Sequence, residues 1–186
     1  VVTKQSFEAF LDERLLKPLG MNDTTFWPNE AQTARIAKAY KPGEKNMGLV
    51  ETPISQLHYP LTDRTERTSM PAGGLFSTAS DVARFYQMLL QGGQFNGRRV
   101  LSEAAVKELT KRQTPAEVKE SYGLGFSVSP TTFGHGGAYS TNSTADSQRG
   151  LTRLGNLRNL FWLDFDERHN LSAIIDYRYD EGKRYN

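Results

Sequence analysis

The stretch MPAGGLFSTASDVARFYQMLLQGG, residues 70–93, carries the strongest helix signal in the chain and decides how its neighbours are interpreted. Thr78 and Asp81 fit the S/T-x-x-D/E pattern that begins helices, Ser80 offers an alternative cap, and Gly92-Gly93 provide the stop. A helix that is apolar on most of its sides is buried, and this stretch therefore predicts a largely buried helix. The apolar side chains that cover most of its circumference are Val82, Ala83, Phe85, Tyr86, Met88, Leu89 and Leu90.

The residues before this stretch predict one amphipathic helix followed by a long, mostly irregular crossing. From Ser6, which can act as the cap, SFEAFLDERLLKPLGM repeats apolar residues at helical spacing, and Pro18 and Gly20 are expected to end the helix. Residues 22–72 have no sustained period, and we expect a single short helix there, near 31–39. A loop of this length is unusual in a compact domain unless it serves a site or a partner.

The residues after the stretch change from helical to strand patterns. Asn96-Gly97 predicts a tight turn, and Ser102 opens a second helix whose Val106 and Leu109 face inward. The sequence then predicts strands at 122–128, 133–139 and 149–154, with short strands also possible in FWLDF and LSAIIDYRY. Helices followed by an antiparallel run of strands predict an α+β fold, with helices packed on the sheet.

Composition and charge are those of a globular protein with few specialised features. The 186 residues, 37% hydrophobic and 11% aromatic, suffice for one domain with a sizeable core. Because the 23 basic and 21 acidic residues are interspersed, no basic stripe indicates nucleic acid as a partner. Cysteine is absent, which excludes disulfides, thiolate metal sites and a cysteine nucleophile. No apolar run reaches the roughly eighteen residues that predict a membrane span.

The strand pattern FGHGGAY, residues 133–139, stands out because three glycines surround one histidine. Glycine weakens a strand interior, so another reason must favour it there. The three histidines, at 58, 135 and 169, lie far apart and form no ligand pair, so no metal or other cofactor is predicted. No serine has glycines two residues before and after it, which excludes the nucleophile elbow of the α/β-hydrolases.

The order of these segments resembles the serine β-lactamase and penicillin-binding family, in particular its class C-like branch of esterases and D-aminopeptidases. The resemblance rests on four segments in this order: SFEAFLDERLLKPLGMNDTTFW near the start, MPAGGLFSTASDVARFYQML, YGLGFSV, and the strand that bears His-Gly-Gly. It covers roughly residues 1–154 and implies a partial β-lactamase or transpeptidase-like fold. Residues 155–186, rich in charges, are expected to form a divergent tail.

The resemblance implies a role for each residue of the glycine-rich strand. In the family, an S-x-x-K motif, a Y-x-N or S-x-N motif and a K-T-G-like triplet build the site. His135, Gly136 and Gly137 would occupy the triplet and bind substrate, since glycine lets a substrate lie against the strand. Ala138 would present its backbone N–H as one oxyanion-hole donor. The alternative is a glycine-rich strand that merely lets a helix pack closely.

Two departures from the family pattern limit what this chain is expected to do alone. His135 replaces the lysine of the triplet, which favours esters, amides or peptides over penicillins because imidazole holds a carboxylate less firmly. No serine is followed by lysine three residues later and no Y-x-N occurs. Ser140-Thr141-Asn142 spells S-x-N but lies after the triplet rather than before it, so we interpret it as chance, and the nucleophile is expected upstream of Val1. The chain would then be the C-terminal part of a serine hydrolase, lacking the N-terminal half of its own domain and inactive by itself.

Other functional classes stay open at this point. The chain could be a non-catalytic binding or regulatory module that uses the same cleft wall, or a structural domain unrelated to the family. Its expected partners are a small-molecule or peptide substrate and the missing half of the domain, not nucleic acid or a membrane span. The resemblance implies a periplasmic or secreted location.

Overall fold

The computed structural model describes residues 3–54, 60–137, 141–156, 159–165 and 171–176. The chain divides into two compact units: Val1–Lys17 with Asn22–Thr78, and Pro18–Met21 with Ala79–Asn186. Helices and antiparallel strands are both present, and the predicted α+β fold is confirmed.

The described part of the chain begins with a helical run, divided between the two units after Lys17, that the sequence predicts well at its start and less well at its end. The run consists of α1 (Phe7–Leu11), a π-helical turn (Asp12–Leu16) and α2 (Lys17–Leu19). Ser6 caps it as expected, because its side chain accepts a hydrogen bond from the Ala9 N–H at 3.2 Å. The helix continues past Pro18 and ends before Gly20, which has a φ of +65°. Pro18 removes one backbone N–H donor from the helix, and the π-helical turn directly before α2 changes the pattern of backbone hydrogen bonds at this point. The helix can therefore continue past the proline.

Residues 22–54 and 60–78 form a mostly irregular segment, which the sequence predicts over 22–72, and a few specific contacts hold it together. It contains α3 (Glu30–Thr33), the strands β1 (Tyr40–Pro42) and β2 (Leu49–Glu51), and the 3-10 turn Glu44–Asn46 between them. The helix expected near 31–39 is therefore shorter and earlier, and the small β1–β2 hairpin was not predicted.

Arg67 is the anchor of this segment although it is charged and only 5% exposed. Its guanidinium donates to the backbone carbonyls of Phe26, at 3.2 Å, and Leu61, and lies over the rings of Trp27 and Phe76. Hydrogen bonds and ring contacts of this kind offset the desolvation of a buried charge. Arg67 thus connects the backbone at Phe26 and Leu61 with the rings of Trp27 and Phe76 within this segment.

The second unit is built on the buried helix that the sequence predicts at residues 79–90. In α4 (Ala79–Leu90), Ala83, Tyr86, Met88 and Leu89 are buried, and Gly92 and Gly93 end the helix with φ values of +62° and +94°. The hairpin β3 (Gln94–Phe95) and β4 (Arg98–Arg99) follows, and its turn lies at Asn96-Gly97 as expected. Ser102 caps α5 (Glu103–Thr110), in which Val106 is buried.

A six-stranded antiparallel sheet completes the second unit, with α4 packed on β7 and β8. Its spatial order is β10-β9-β8-β7-β6-β5. The strand predicted at 122–128 is a strand only at Ser127–Val128, whereas β7 was not predicted at all. The strands are β5 (Ser127–Val128), β6 (Thr132–Gly136), β7 (Thr141–Asp146), β8 (Leu151–Asn156), β9 (Asn159–Phe165) and β10 (Leu171–Asp176).

Candidate functional site

The histidine and two of the three glycines that the sequence singles out lie on β6, and Gly137 follows β6 directly. At this point the sheet changes from two-sided to one-sided pairing. We call Thr132–Gly134 the inner half of this segment and His135–Gly137 the outer half. The inner half pairs with β7 on one side and with β5 on the other, where Ser127 lies opposite Gly134. The strand β5 reaches no further, so the outer half is paired with β7 alone over His135 and Gly136.

The alternation of backbone hydrogen bonds fixes which groups of the outer half face the unpaired side. The Gly137 N–H donates to the Thr141 carbonyl on β7 at 2.8 Å, whereas the Thr132 carbonyl accepts from Ser129 on the β5 side at 2.8 Å. In an antiparallel ladder, alternate residues bond to opposite neighbours. Gly136 is therefore directed to the side where β5 has ended, and its backbone forms a short open edge.

The three glycines of this segment differ in how much room surrounds them. A Cβ at Gly134 would lie 2.2 Å from the Ser143 carbonyl oxygen and 2.7 Å from the Thr144 Cα, so only glycine fits. A Cβ at Gly137 would lie 2.2 Å from the Thr141 side-chain oxygen. At Gly136 the nearest atom would be 3.8 Å away, which is ordinary contact distance, and its φ is not positive. The sheet itself gives no reason for glycine at Gly136.

His135 is exposed and its ring is oriented by two neighbours. The ring of Tyr122 meets it edge-on, with centroids 5.8 Å apart and an interplanar angle of 87°. Its Nδ1 contacts the Gly136 carbonyl oxygen, which can only accept a hydrogen bond, so this contact requires a proton on Nδ1. In the neutral tautomer with that proton, Nε2 is an acceptor.

Helix α4 contacts the strand pair that carries the outer half through the side chain of Tyr86. The buried Tyr86 hydroxyl lies 2.8 Å from the Ser143 Oγ and 3.2 Å from the Ser143 carbonyl oxygen, and Ser143 pairs with His135 across the β6–β7 ladder. Burial raises the pKa of Tyr86, and the hydrogen bond to Ser143 lowers it in part. Sequence reasoning found Tyr86 only as a core residue, because nothing in the sequence pairs it with Ser143.

Ala138, the predicted oxyanion donor, lies outside the described residues. His135, Gly136 and Gly137 are consecutive on one open strand end, as their sequence order requires. No group of histidine, aspartate and glutamate side chains that could hold a metal ion occurs in the described ranges. None of the helices described is both long and apolar enough to cross a bilayer.

Comparison with known proteins gives one family and several relatives. A family model described as Beta-lactamase matches residues 1–157. The chain is 34% identical over 139 residues to "Penicillin-binding protein 4" of Amycolatopsis lactamdurans, covering 74% of this chain and 33% of that protein. It is 27% identical over 174 residues to a "Putative D-alanyl-D-alanine carboxypeptidase" of Escherichia coli K12, covering 81% and 39% respectively. The chain thus spans between a quarter and two fifths of the length of the first curated relatives it matches.

Solved structures with the same fold include a penicillin-binding protein homologue from Caulobacter crescentus, with a TM-score of 0.59 and 23% identity. That similarity covers 81% of this chain and 46% of the other. An octameric penicillin-binding protein homologue from Pyrococcus abyssi gives a TM-score of 0.57 at 21% identity, covering 79% and 32%. At these identities the likeness concerns the fold.

Proposed function

Since this chain belongs to the serine β-lactamase and penicillin-binding protein family, we propose that the outer half of β6 is one wall of a substrate cleft. The substrate class is an ester, amide or peptide with a carbonyl that a serine attacks. His135, Gly136 and Gly137 bind and orient this substrate, and the chain supplies no nucleophile of its own.

The observation that supports this proposal most directly is the glycine at 136. A glycine with room for a Cβ and no positive φ raises the entropy of the unfolded chain without relieving any contact in the fold. An open strand edge gives it a use, because an extended ligand can add to the edge through backbone hydrogen bonds. A side chain at this position would project from one face of the sheet next to the added ligand, and glycine leaves that space free.

His135 determines which ligands the site prefers. With Nδ1 donating to the Gly136 carbonyl, the neutral ring offers Nε2 as an acceptor for an N–H or O–H of the ligand. A lysine at this position offers only donors and a permanent charge. This difference favours esters and amides over substrates that depend on a free carboxylate.

Ala138 follows the triplet His135–Gly137 directly in the sequence, and we propose its backbone N–H as the oxyanion donor because of the resemblance to the family. A preorganised N–H donor at an oxyanion is worth about 3 to 4 kcal/mol of barrier in acyl transfer. The donor would act on a carbonyl that a serine from another segment attacks.

Amide NMR spectra of the ¹⁵N-labelled chain test the binding part of the proposal. Titration with N-acetyl-D-alanyl-D-alanine amide is expected to shift the amide signals of His135, Gly136 and Gly137, while the L,L stereoisomer produces smaller shifts. In Gly136→Val the shifts are expected to disappear although the spectrum of β8 is unchanged. Shifts that appear elsewhere, or that survive in Gly136→Val, would refute the site.

Labelling with a fluorophosphonate probe tests the missing nucleophile. Because no serine of this sequence is followed by lysine at the third position, we expect no covalent adduct on the isolated chain by mass spectrometry. An adduct on any serine would mean that the nucleophile lies within these residues. If the chain binds the ligand without forming an adduct, the result is equally consistent with part of a serine hydrolase and with a non-catalytic binding module. An S-x-x-K motif upstream of Val1 would favour the hydrolase over that module.

A further inference from the structure

The hydroxyl of Tyr86 connects helix α4 to the strand pair that carries the candidate site. Tyr86 is 2% exposed, and its hydroxyl lies 2.8 Å from the Ser143 Oγ and 3.2 Å from the Ser143 carbonyl oxygen. The Ser143 hydroxyl in turn lies 3.4 Å from the His135 carbonyl oxygen. In one arrangement of protons that these distances allow, Tyr86 donates to the Ser143 hydroxyl oxygen, and the Ser143 hydroxyl donates to the His135 carbonyl oxygen.

This connection reaches β6 at the boundary between its two halves. Ser143 lies directly opposite His135 in the β6–β7 ladder, and His135 is the first residue beyond the end of β5. The pair His135–Ser143 is of the hydrogen-bonded type, since the Gly137 N–H, two residues on, also bonds to β7. In the proton arrangement given above, the His135 carbonyl accepts an additional hydrogen bond from the Ser143 hydroxyl, which itself accepts from Tyr86.

The ring of Tyr86 is itself held in place, so its hydroxyl is a fixed point. Its centroid lies 5.9 Å from that of Phe133 in the inner half, 6.0 Å from that of Phe126 and 5.7 Å from that of Phe85. Packed aromatic rings of this kind have little rotational freedom. A buried tyrosine hydroxyl also requires a partner, which makes separation from Ser143 unfavourable.

The outer half has two features that make its extended conformation depend on such a support. It is paired on one side only, and two of its three residues are glycines, which have the greatest backbone freedom. An open, glycine-rich strand end would sample many conformations, whereas a ligand that adds to an edge needs an extended one.

We propose that Tyr86 and Ser143 are positioning residues, which hold the His135 backbone so that the outer half stays extended and ready for a ligand. This inference rests on the proposed function for its biological meaning. Neither residue touches the ligand; both act through the backbone of His135.

Hydrogen exchange measured residue by residue tests the structural part. In Tyr86→Phe and in Ser143→Ala, the amides of His135 and Gly137 are expected to exchange about five- to tenfold faster, the factor that one lost hydrogen bond predicts. The amides of Thr152 and Leu154 in β8 serve as the internal reference. Ser143→Thr keeps the hydroxyl and is expected to restore the slow exchange.

Val106→Ala is the matched control, because it removes buried methyl groups from α5, which belongs to the same unit but not to β6 or β7. It is expected to change exchange in the sheet uniformly. If Tyr86→Phe also changes all sheet amides by one common factor, or if Ser143→Thr exchanges as fast as Ser143→Ala, the positioning role is refuted.

The dissociation constant for N-acetyl-D-alanyl-D-alanine amide tests the functional part. We expect Kd to rise about five- to tenfold in both Tyr86→Phe and Ser143→Ala and to stay at the wild-type value in Ser143→Thr. An unchanged Kd in all three variants would refute positioning for binding. If the wild-type chain does not bind the probe at the outer half, the proposed function fails, and the exchange data alone then decide whether the two residues hold the strand.

Discussion

The inner and outer halves of β6 show how one strand can serve the fold at one end and a ligand at the other. Gly134 in the inner half is enclosed by backbone atoms of β7, which leaves no room for a side chain. Gly136, two residues later, has room for one and faces the side where β5 has ended. The same residue type therefore has a packing explanation at one position and lacks it at the other.

The largest effect is expected at Gly134, where the packing explanation applies. In Gly134→Ala the new Cβ would lie 2.2 Å from the Ser143 carbonyl oxygen, and β6 and β7 must separate to admit it. We expect a loss of about 3 kcal/mol in the free energy of unfolding, the upper range for overpacking a core. Urea denaturation followed by circular dichroism measures this loss. A decrease below about 1 kcal/mol would show that the inner half is less tightly packed than the distances indicate.

A smaller effect is expected from the hydroxyl that supports the outer half. Tyr86→Phe removes the hydrogen bonds to Ser143, and we expect a loss of about 1 kcal/mol near neutral pH. Phe85→Leu, which changes the neighbouring ring on α4 without removing a hydroxyl, is the control.

The pH dependence of the same variant provides a separate test. Burial raises the pKa of Tyr86 above its usual 10.0, so above that pH the unfolded chain has released this proton while the folded chain retains it. The unfolded state then binds fewer protons, and stability falls as pH rises from about 10. The free energy of unfolding of Tyr86→Phe does not fall for this reason. The difference in stability between the variant and wild type is therefore expected to become smaller above pH 10. Parallel wild-type and variant curves above pH 10 would contradict the assignment.

A stabilising effect is expected at Thr152, in β8. Its side chain is buried, and its hydroxyl has no hydrogen-bond partner in the part of the chain that the structure describes. Thr152→Val replaces this hydroxyl with a methyl group of similar shape, and we expect a gain of about 1 kcal/mol. Thr144→Val is the control, since the Thr144 hydroxyl donates to the Asn142 side chain at 3.0 Å and its loss brings no gain.

The sequence predicts the parts of this fold whose signals are local. Helix α4 follows from its apolar residues, and the ends at Ser6, Ser102 and Gly92-Gly93 follow from capping chemistry. The strand β7, TNSTAD, was missed because asparagine, serine and aspartate are poor strand formers. Its place in the sheet comes from its neighbours β6 and β8 and from the contact with Tyr86, none of which a local pattern records.

The features of the candidate site also divide into those that the sequence predicts and those that it does not. The sequence identified His135, Gly136 and Gly137 as unusual, and the resemblance assigned them a role. It did not distinguish Gly134 from Gly136, because the difference depends on where β5 ends and on which atoms of β7 lie opposite. Gly137 is also a less suitable position for a test substitution than the sequence suggests, because an added Cβ would lie 2.2 Å from the Thr141 side-chain oxygen.

The smallest expected effect on stability, and the sharpest test of the comparison, is that of Gly136→Ala. The φ of Gly136 is not positive and the nearest atom to a new Cβ would be 3.8 Å away, so alanine fits without strain. Alanine also reduces the entropy of the unfolded chain, which stabilises a fold by about 0.4 to 1 kcal/mol where the native backbone is compatible. We therefore expect a free energy of unfolding equal to or slightly above that of wild type, together with weaker binding of N-acetyl-D-alanyl-D-alanine amide. If Gly136→Ala destabilises the chain as much as Gly134→Ala does, both halves of β6 need glycine for packing, and the open edge is not a ligand site.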